Sequence, residues 1–571
     1  MSAMEALYPP THTVTNQVQP LEDYNVFTGN QALRDALKFN APDMDTAEFV
    51  ALGEKLGTAQ YQTHARLANT STPVLHAHDR FGRRMDQVEF HPSYHALMSL
   101  AAESGLHGSP WLDEKFGHIR RAAGFTMFTE LEPSILCPIS MTYAVMPALH
   151  GNPAIFKDWA PGLTARTYDP ELKLFSKKRG LTMGMGMTEK QGGSDLRANT
   201  TRATPDGVDA WGQRFKLVGH KWFFSAPMCD AFLVLAQSPV GLSCFFVPRV
   251  LPDFDNSAPA QTPAGASDST LNTIHVQRLK DKLGNKANAS SEVEFQGATA
   301  WLVGVEGRGV PQILEMGTMT RLDCALGTSG LMRHSLSIAL NHAAQREAFG
   351  KRLIDQPLMR NVLADLAIES EAATALSMRL ARSFDHQSDT HEQLMGRLLT
   401  PIAKFWICKR GSAFAQEAME CLGGNGYVEA GGEGIMARIY REMPLNSIWE
   451  GAGNIMALDL LRALRRGDGK GDTAAALAKE LEPAKGAHPA LDRLAAALPT
   501  RVEHTATEIE ARRLAQDVAL AVQAAILFQS APQEVFTAFC DSRLGGDWGY
   551  SFGTLGAAVD FDAIIARAMP R

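Results

Sequence analysis

The stretch MTEKQGGSDLRANTT, residues 187–201, marks a change of architecture in the chain. Directly before it, LTMGMGM (residues 181–187) alternates apolar residues with glycine, as a strand does. The stretch then gathers hydroxyl, carboxylate, amide and guanidinium groups around Gly192 and Gly193. Glycines let a backbone turn sharply or approach a ligand closely. The loop therefore predicts either a site for a polar heteroaromatic ring or a phosphate, or a polar hairpin turn.

Three further patterns surround this loop. Residues 1–180 carry mainly apolar residues at three-to-four spacing, and the run SILCPISMTYAVMPAL (134–149) predicts a buried helix. Residues 181–308 form short β-branched and aromatic runs, typical of a β-sandwich or barrel, and contain a Pro/Ala/Ser/Asp loop at 253–270. Residues 309–466 predict a helical bundle, and a polar linker after Leu464 leads into an extra helical domain, residues 467–571. The fold class is mainly α with a central β domain.

The composition narrows the class of protein. The chain has 571 residues, of which 45% are hydrophobic and 20% charged, as expected for a globular protein of several domains. It has no apolar run of about 18 residues and no secretory signal pattern, so we expect a cytoplasmic protein without a membrane span. Seven scattered cysteines without a CxxC pair predict a reducing compartment and no metal site. A net charge of −7 gives nucleic-acid binding no overall support.

Three more motifs each have a chemical and a purely structural interpretation. GHKWFFSAP (219–227) predicts an aromatic wall for a flat ligand, or aromatic side chains that fill a β core. In QREAFGKRLIDQP (345–357), Arg346 suits a phosphate and Phe349 an adenine, with Gly350 as a helix cap; the alternative is a solvated helix end. The glycines of CLGGNGYVEAGGEG (421–434) can present amides to an anion or make a turn between helices.

A candidate general base follows these motifs. Glu450 lies between Trp449 and Gly451, just before an amphipathic helix. Apolar neighbours desolvate a carboxyl and raise its pKa, which suits a base that works near neutrality. The alternative is a helix-capping glutamate. Since the chain lacks a βαβ unit opened by GxGxxG, we do not expect a dinucleotide to bind in the Rossmann manner.

The order of these motifs, across a helical–β–helical chain, resembles the acyl-CoA dehydrogenase family of flavoproteins over roughly residues 60–466. The resemblance implies an N-terminal helical domain, a middle β-barrel and a C-terminal four-helix bundle, usually assembled as a homotetramer with FAD. It also implies an acyl-CoA substrate. Glu450 falls at the position of the catalytic base, which removes the α-proton while the flavin accepts a β-hydride.

The same resemblance assigns residues to the cofactor. It implies that the flavin ring is contacted by Met187, Thr188, Gly193, Ser194, Phe223, Phe224 and Ser225. It implies that the adenine and pyrophosphate of a FAD bound to a neighbouring subunit are held by Arg346, Phe349, Gln356, Leu422, Gly423, Gly424 and Gly426. Around the base, the remaining cofactor candidates are Ile448, Trp449, Gly451 and Asn454.

The chain departs from the usual family pattern at several positions. Trp449 stands where Tyr is usual before the Glu, Ala452 where Thr or Ser is common, and Phe223 where a Trp lies against the flavin. With these departures, the whole chain resembles a divergent alkylation-response branch of the family. That branch implies binding to double-stranded DNA through the C-terminal domain, protection of DNA from alkylation, and weak acyl-CoA dehydrogenase activity at most. By position, Arg462 and Arg543 become candidates for DNA contact.

The charge of the C-terminal region is opposite to that expected for DNA binding. Residues 470–571 contain ten Lys or Arg and thirteen Asp or Glu, whereas DNA-binding surfaces are basic. A local basic face is compatible with this acidic balance, because RALRR (462–466), Arg512 and Arg513 can line one side of the region. Two other functions stay open: a metabolic acyl-CoA dehydrogenase that uses Glu450, and a non-catalytic flavin-bound scaffold. The sequence identifies neither the acyl group nor the electron acceptor.

Overall fold

The N-terminal part of the computed structural model is a helical layer. The structure describes residues 11–112, 115–254, 270–429, 435–465, 473–502 and 507–570. The helices of this layer are α1 (Gln31–Asn40), α2 (Ala47–Gly57), α3 (Ala59–Thr70), α4 (Pro92–Glu103), α5 (Gly117–Leu131), α6 (Leu136–Leu149) and α7 (Pro153–Leu163). Side-chain caps set two of the starts, since Thr58 accepts from Tyr61 N and Asn152 from Ile155 N. Helix α6 confirms the buried helix expected at 134–149.

A β-hairpin interrupts this layer, although the sequence pattern predicted mainly helices there. Its strands are β1 (Val74–His78) and β2 (Arg84–Glu89), which pair antiparallel. The Asp79 carboxylate closes the turn by accepting hydrogen bonds from the backbone N–H of Phe81 and Arg83. Arg84 donates to the Val276 carbonyl at 2.8 Å, so the hairpin ties the helical layer to the middle domain.

The middle region is a barrel. Its strands are β3 (Met183–Gly186), β4 (Arg202–Asp209), β5 (Gly212–Ser225), β6 (Ala231–Ser238), β7 (Gly241–Pro248), β8 (Val250–Leu251), β9 (Thr270–Leu271), β10 (Ile274–Leu279) and β11 (Ser290–Val303). Pairing runs β11–β5–β4–β6–β7 and back to β11, which closes a ring of five strands, with β10 and β3 added at its sides. Buried aromatic rings such as Trp211 and Trp301, 5.0 Å apart, pack between it and α7, where Trp211 contacts Trp159. Residues 255–269 of the expected 253–270 loop lie outside the described residues.

Long helices form the bundle that follows. They are α8 (Gly309–Gln345), α9 (Pro357–Asp385), α10 (Thr390–Glu420), α11 (Gly424–Tyr427), α12 (Ile435–Asn446) and α13 (Gly453–Arg465), with a short hairpin, β12 (Glu347–Ala348) and β13 (Lys351–Arg352), after α8. Helix α8 also packs against α5 and α6. It therefore connects the bundle to the N-terminal layer and contacts the turn before α13, where Glu450 lies.

The C-terminal region packs onto the bundle instead of hanging from a linker. Its helices are α14 (Thr473–Leu481), α15 (Pro489–Thr500), α16 (Ala511–Ser530), α17 (Gln533–Phe539) and α18 (Phe561–Ala568). Helix α16 contacts α9, α10 and α13 through a stripe that includes Leu514, Val518 and Ala521. The polar linker expected after Leu464 is wrong from Thr473 onward, because α14 buries Leu477 and Leu481 in the common core.

None of the described helices has a stretch that is long and apolar enough to cross a bilayer.

Candidate active site

A buried ion pair holds the Gly-Gly loop in place. The carboxylate of Glu189 lies 2.8 Å from the Lys221 ammonium on β5, and both side chains are fully buried. The same carboxylate accepts hydrogen bonds from the backbone and hydroxyl groups of Thr200 and Thr201. Glu189, Thr200 and Thr201 therefore stabilise the loop itself. The sequence alone does not distinguish this structural role from ligand binding.

This environment keeps Glu189 ionised. Burial alone raises the pKa of a carboxyl, but the Lys221 charge and the hydrogen bonds from Thr201 and Thr200 outweigh it and hold the pKa of Glu189 well below its usual value. The loop is also closely packed at Gly193, where a Cβ would lie 2.5 Å from Thr188 Oγ1. Ser194, by contrast, is exposed and free to meet a ligand.

The aromatic wall consists of one exposed ring, not two. Successive side chains of a strand point to opposite faces, so Phe223 exposes 51% of its surface whereas Phe224 is fully buried. The Phe224 ring packs 4.3 Å from Phe232 inside the barrel. The expectation that the Phe224 side chain contacts the flavin is therefore wrong. Phe223 and the partly exposed Ser225 are left to form the wall.

Three anchors fix the turn that carries Glu450. Glu450 has a left-handed backbone, with φ +58°, and Gly451 follows at +104°. Thr320 Oγ1 donates to the Glu450 carboxylate at 2.7 Å, and Arg321 donates to its backbone carbonyl at 3.0 Å. Lys404 donates to the Gly451 carbonyl at 2.5 Å. A strained non-glycine conformation persists only where surrounding contacts hold it, and here two long helices, α8 and α10, supply those contacts.

The environment of Glu450 suits a base. Burial raises the pKa of Glu450 above that of an ordinary glutamate, and the Thr320 hydrogen bond, Arg321 and Lys404 partly offset the rise. Lys404 is 1% exposed and has no carboxylate within 4 Å among the described residues. Thr320, Arg321 and Lys404 are not among the site residues that the sequence motifs predict. A lysine within the apolar run PIAKFWIC (401–408) was the available signal.

Two side chains line the space beside the base. The Trp449 indole donates to Asn446 Oδ1 at 3.1 Å and packs against the barrel core. The Cys137 thiol, at the start of α6, is close to the Ser225 hydroxyl and is influenced by the charge of Glu450. Cys137 and Phe224 belong to the same core cluster, and Trp449 packs against it, so the strand of the aromatic wall and the turn that carries the base border one core. Ile448, next to Trp449, is 61% exposed.

The second set of cofactor candidates lies at the far end of α8 and α10. Phe349 is 97% exposed at the tip of the β12–β13 hairpin, and its left-handed backbone, followed by Gly350, makes a strand turn instead of the expected helix cap. Arg346 donates to the Asn16 carbonyl, and Gln356 donates to the Ala348 carbonyl at 3.0 Å. No hydrogen bond or ion pair among the described residues joins this hairpin to the Gly-Gly loop.

The glycine turn after α10 is open to a ligand. A Cβ on Gly423 or Gly424 would meet no atom within 4 Å, whereas one on Gly426 would lie 2.3 Å from the Met419 carbonyl. Leu422 packs against the bundle core. Residues 430–434 of this motif lie outside the described residues. The open amides, the exposed rings of Phe223 and Phe349 and the uncommitted Ser194 hydroxyl fit a flat aromatic cofactor with a pyrophosphate.

Only one of the two candidate DNA-contacting arginines is accessible. Arg462, on α13, is exposed. The Arg543 side chain is 1% exposed and pairs with Asp365 at 2.5 Å and with Glu369 at 3.0 Å. The expectation that Arg543 contacts DNA is therefore wrong for this structure, because its guanidinium joins the C-terminal region to α9. Asn454, expected at the cofactor, is exposed and accepts a hydrogen bond from Arg512 at 3.3 Å.

Among the residues that the structure describes, no group of three or more His, Cys, Asp or Glu side chains is arranged to hold a metal ion.

Three family models match the chain. They are the adaptive response protein AidB N-terminal domain over residues 16–170, the acyl-CoA dehydrogenase middle domain over 184–298, and the acyl-CoA dehydrogenase C-terminal domain over 307–465. Together these matches cover the helical layer, the barrel and the bundle.

Known proteins resemble the chain over most of its length. The putative acyl-CoA dehydrogenase AidB of Escherichia coli is 47% identical over 504 residues, which span 87% of this chain and 88% of that protein. Acyl-CoA dehydrogenase family member 11 of Caenorhabditis elegans is 28% identical over 81% of this chain and 74% of that protein. The crystal structure of C. elegans ACDH-11 in complex with C11-CoA shares the fold, with a TM-score of 0.80, 24% identity and 99% of each chain covered. The chain belongs to the acyl-CoA dehydrogenase family, in its AidB-type branch, and FAD is the cofactor of this family.

Proposed function

We propose that this protein is a FAD-dependent oxidoreductase that dehydrogenates an acyl-CoA thioester, with Glu450 as the base. The observation that supports this most is the position of Glu450. Its carboxyl is desolvated, held by Thr320 at 2.7 Å, and carried on a left-handed turn whose two carbonyls each accept from a cation. A base with a raised pKa and a fixed orientation is what α-proton removal needs.

The chain supplies the proton chemistry. In its carboxylate form, Glu450 takes the α-proton of the thioester, the Cα–H bond breaks, and a double bond forms between the α and β carbons. Bound FAD supplies the two-electron acceptor for the hydride that leaves the β carbon. The Thr320 hydrogen bond keeps one carboxylate oxygen in place, and Trp449 excludes water and limits the room for the acyl group. We therefore expect slow turnover and a narrow range of acyl groups.

An anaerobic titration tests this function. The oxidised-flavin absorbance of the purified protein is followed while straight and branched acyl-CoA thioesters are added one at a time. Bleaching by at least one thioester supports a working dehydrogenase. A flavin that stays oxidised with every acyl length and branching pattern would refute the dehydrogenase function and leave the scaffold and DNA-associated functions, which need no flavin turnover.

Thr320→Val should raise the apparent pKa of the reaction. The variant loses the hydrogen bond that lowers the pKa of Glu450. Hydrogen bonds to charged groups contribute roughly 1.5–3 kcal/mol, which corresponds to a shift of about 1–2 pH units. Since the carboxylate is the active form, the rise in rate with pH should move to higher pH, and the rate at high pH should recover. The measurement is the pH dependence of flavin reduction. Thr318→Val is the matched control, because the Thr318 hydroxyl bonds only its own helix backbone; equal profiles in both variants would contradict the prediction.

The proposal extends to assembly and location. A homotetramer would cover the strongly exposed apolar side chains at the ends of the long helices, which are Phe349, Leu358 and Tyr427. It would also complete the cofactor site, because the Phe349 hairpin and the Gly423 turn would then face the FAD of a neighbour. Seven free, buried thiols suit the reducing cytoplasm.

A second function in the same protein is association with double-stranded DNA and its protection from alkylation. One observation favours a DNA surface. Arg462 on α13 and Arg512 and Arg513 on α16 are exposed on two helices in contact, and Arg512 reaches Asn454 at the start of α13. These guanidiniums could neutralise phosphates even though the C-terminal region as a whole is acidic.

The paired substitution Arg462→Gln/Arg512→Gln should weaken duplex binding. Each lost phosphate contact lowers the slope of log affinity against log salt by about 0.9. The double variant should therefore lose up to about two units of slope, with a similar effect for every duplex sequence. Binding is measured by fluorescence anisotropy over a salt series. Arg83→Gln/Arg352→Gln removes the same charge from exposed arginines on the two small hairpins and should bind normally. Absence of duplex binding by the unmodified protein at low salt would refute the DNA function.

A further inference from the structure

A polar arm near the start of the chain lies against the end of the bundle. This N-terminal arm, residues 11–19, precedes the helical layer and is exposed along most of its length. Its Val14 side chain exposes 68% of its surface. The arm therefore buries little apolar area, and the hydrophobic effect does not account for where it lies. Hydrogen bonds instead join it to the end of α8 and to the β12–β13 hairpin.

Asn16 makes three of these hydrogen bonds. Its carboxamide donates to the Glu347 carbonyl at 2.8 Å and accepts from the Glu347 backbone N–H at 2.9 Å. Its backbone carbonyl accepts a hydrogen bond from the Arg346 guanidinium. Asn16 has a left-handed backbone, with φ +54°, a conformation that asparagine and glycine tolerate best. A single residue of the arm thus binds both the hairpin backbone and the side chain of Arg346.

Neighbouring hydrogen bonds fix the two partners of this contact. The Gln19 backbone N–H donates to Gln345 Oε1 at 3.0 Å, and the Gln19 carbonyl accepts from the Asn341 carboxamide at 3.0 Å. These bonds hold the arm along the last turns of α8. The hairpin is held from its other end, where Gln356 donates to the Ala348 carbonyl at 3.0 Å.

The Arg346 guanidinium keeps most of its donors free. Among the described residues, only its Nη1 bonds a partner, and no carboxylate lies within 4 Å of it. The Arg346 backbone is fixed as well, because its N–H donates to the His342 carbonyl at 2.9 Å and its carbonyl accepts from the Leu353 N–H at 2.8 Å. A guanidinium has five N–H groups, so at least three remain for an anion. Planar guanidinium donors suit a phosphate.

We propose that Asn16 is a positioning residue that holds the Arg346 guanidinium ready for the diphosphate of FAD. A free arginine side chain loses rotamer freedom when it binds a phosphate, whereas one that is already held loses less. The benefit belongs to the adenosine diphosphate half of FAD, because Arg346 lies at the hairpin and not at the aromatic wall. This inference rests on the cofactor site of the proposed function and adds to it a residue outside the motifs.

The test measures the dissociation constant of FAD from the flavin-stripped protein by isothermal titration calorimetry. Asn16→Gly keeps the left-handed backbone but deletes the carboxamide. We expect it to bind FAD about 3–10-fold more weakly, the effect of losing the pre-organisation of one long side chain. Riboflavin lacks the adenosine diphosphate half and should bind both proteins equally. Gln17→Ala is the matched control, because the Gln17 carboxamide bonds only the Thr15 carbonyl of the same arm at 3.0 Å.

A double-mutant cycle shows whether Asn16 acts through Arg346. Arg346→Met should weaken FAD binding more than Asn16→Gly does, and Asn16→Gly should then add no further loss in the Arg346→Met background. The urea midpoint and the elution volume in size-exclusion chromatography should be the same for the native protein and Asn16→Gly, because the arm is exposed. Those two readouts exclude a loss of the fold or of the assembly as the cause of weaker FAD binding.

Four results would overturn the inference. They are native FAD affinity in Asn16→Gly, native FAD affinity in Arg346→Met, losses that add fully in the double variant, and an equal loss for riboflavin and FAD. The acyl-CoA titration separates the inference from the dehydrogenase function. If acyl-CoA bleaches the flavin and Asn16→Gly binds FAD normally, the function stands alone. If no acyl-CoA bleaches the flavin and Asn16→Gly binds FAD more weakly through Arg346, the inference stands alone.

Discussion

Glu450→Gln should reduce the rate of flavin bleaching by acyl-CoA about 10²–10⁴-fold, the range that a positioned general base contributes. Glutamine is nearly the same size as glutamate and can still accept the Thr320 hydrogen bond, which measures 2.7 Å in the native protein. It cannot accept the α-proton. Rapid mixing of the FAD-loaded variant with acyl-CoA under anaerobic conditions measures the rate of bleaching directly.

The controls for this variant separate chemistry from binding. The spectral shift of the oxidised flavin on adding thioester should be retained in Glu450→Gln, because the substrate still binds. Glu482→Gln changes a glutamate whose side chain is 66% exposed in the C-terminal region and should bleach at the native rate. Native-like bleaching by Glu450→Gln would show that another group removes the proton.

Glu189→Gln should destabilise the barrel by about 3–5 kcal/mol, the usual effect of removing one partner of a buried ion pair. The substitution leaves the Lys221 ammonium buried beside a neutral amide, 2.8 Å from where the carboxylate stood. It also replaces one carboxylate oxygen by an amide NH2, which faces the donating groups of either Thr200 or Thr201. We expect a lower urea midpoint and weaker FAD retention, because the ion pair holds the Gly-Gly loop.

The pH dependence gives this prediction a second readout. The folded-state pKa of Glu189 lies below its ordinary value of 4.5. The ionised Glu189 carboxylate therefore contributes its full stabilisation only above about pH 4.5, its ordinary pKa. That stabilisation is lost as the pH falls toward the folded-state pKa. The difference between native protein and variant should shrink in acid. The double variant Glu189→Gln/Lys221→Met should recover part of the loss, since it leaves no unpaired charge. A single variant as stable as the native protein would contradict the structural role.

The order of the motifs predicts the main architecture, because the motifs lie where the hydrophobic periodicity changes along the chain. Alternating LTMGMGM became β3, and the long amphipathic runs became α8, α9 and α10, as periodicity dictates. The β1–β2 hairpin was missed because its strands are short and half exposed, with mixed polar composition. Helix α14 falls within the stretch predicted as a polar linker, because it is rich in alanine and charge and only tertiary packing shows which of its faces is buried.

Sequence motifs predict candidate residues of the site, but not the distant residues that hold them in place. Local sequence predicts roles for Glu450 and Phe223, whereas Thr320 and Lys404 contact the Glu450–Gly451 turn from 130 and 46 residues before Glu450 in the chain. The lysine within the apolar run 401–408 is unusual, but the run does not indicate which residue it contacts. Phe224 and Arg543 were assigned by position, yet both side chains are buried. Burial depends on which way a strand or helix faces its neighbours, and that information is not contained in the motif itself.

The proposed dehydrogenase function depends on removal of the α-proton of an acyl thioester by Glu450. The most direct measurement compares a reducing acyl-CoA with its α,α-dideuterated form in an anaerobic single turnover of the FAD-loaded protein. We predict that the deuterated thioester bleaches the flavin several-fold more slowly, and that Glu450→Gln bleaches it negligibly with either form. Equal rates for the two thioesters, together with undiminished bleaching in Glu450→Gln, would contradict the claim.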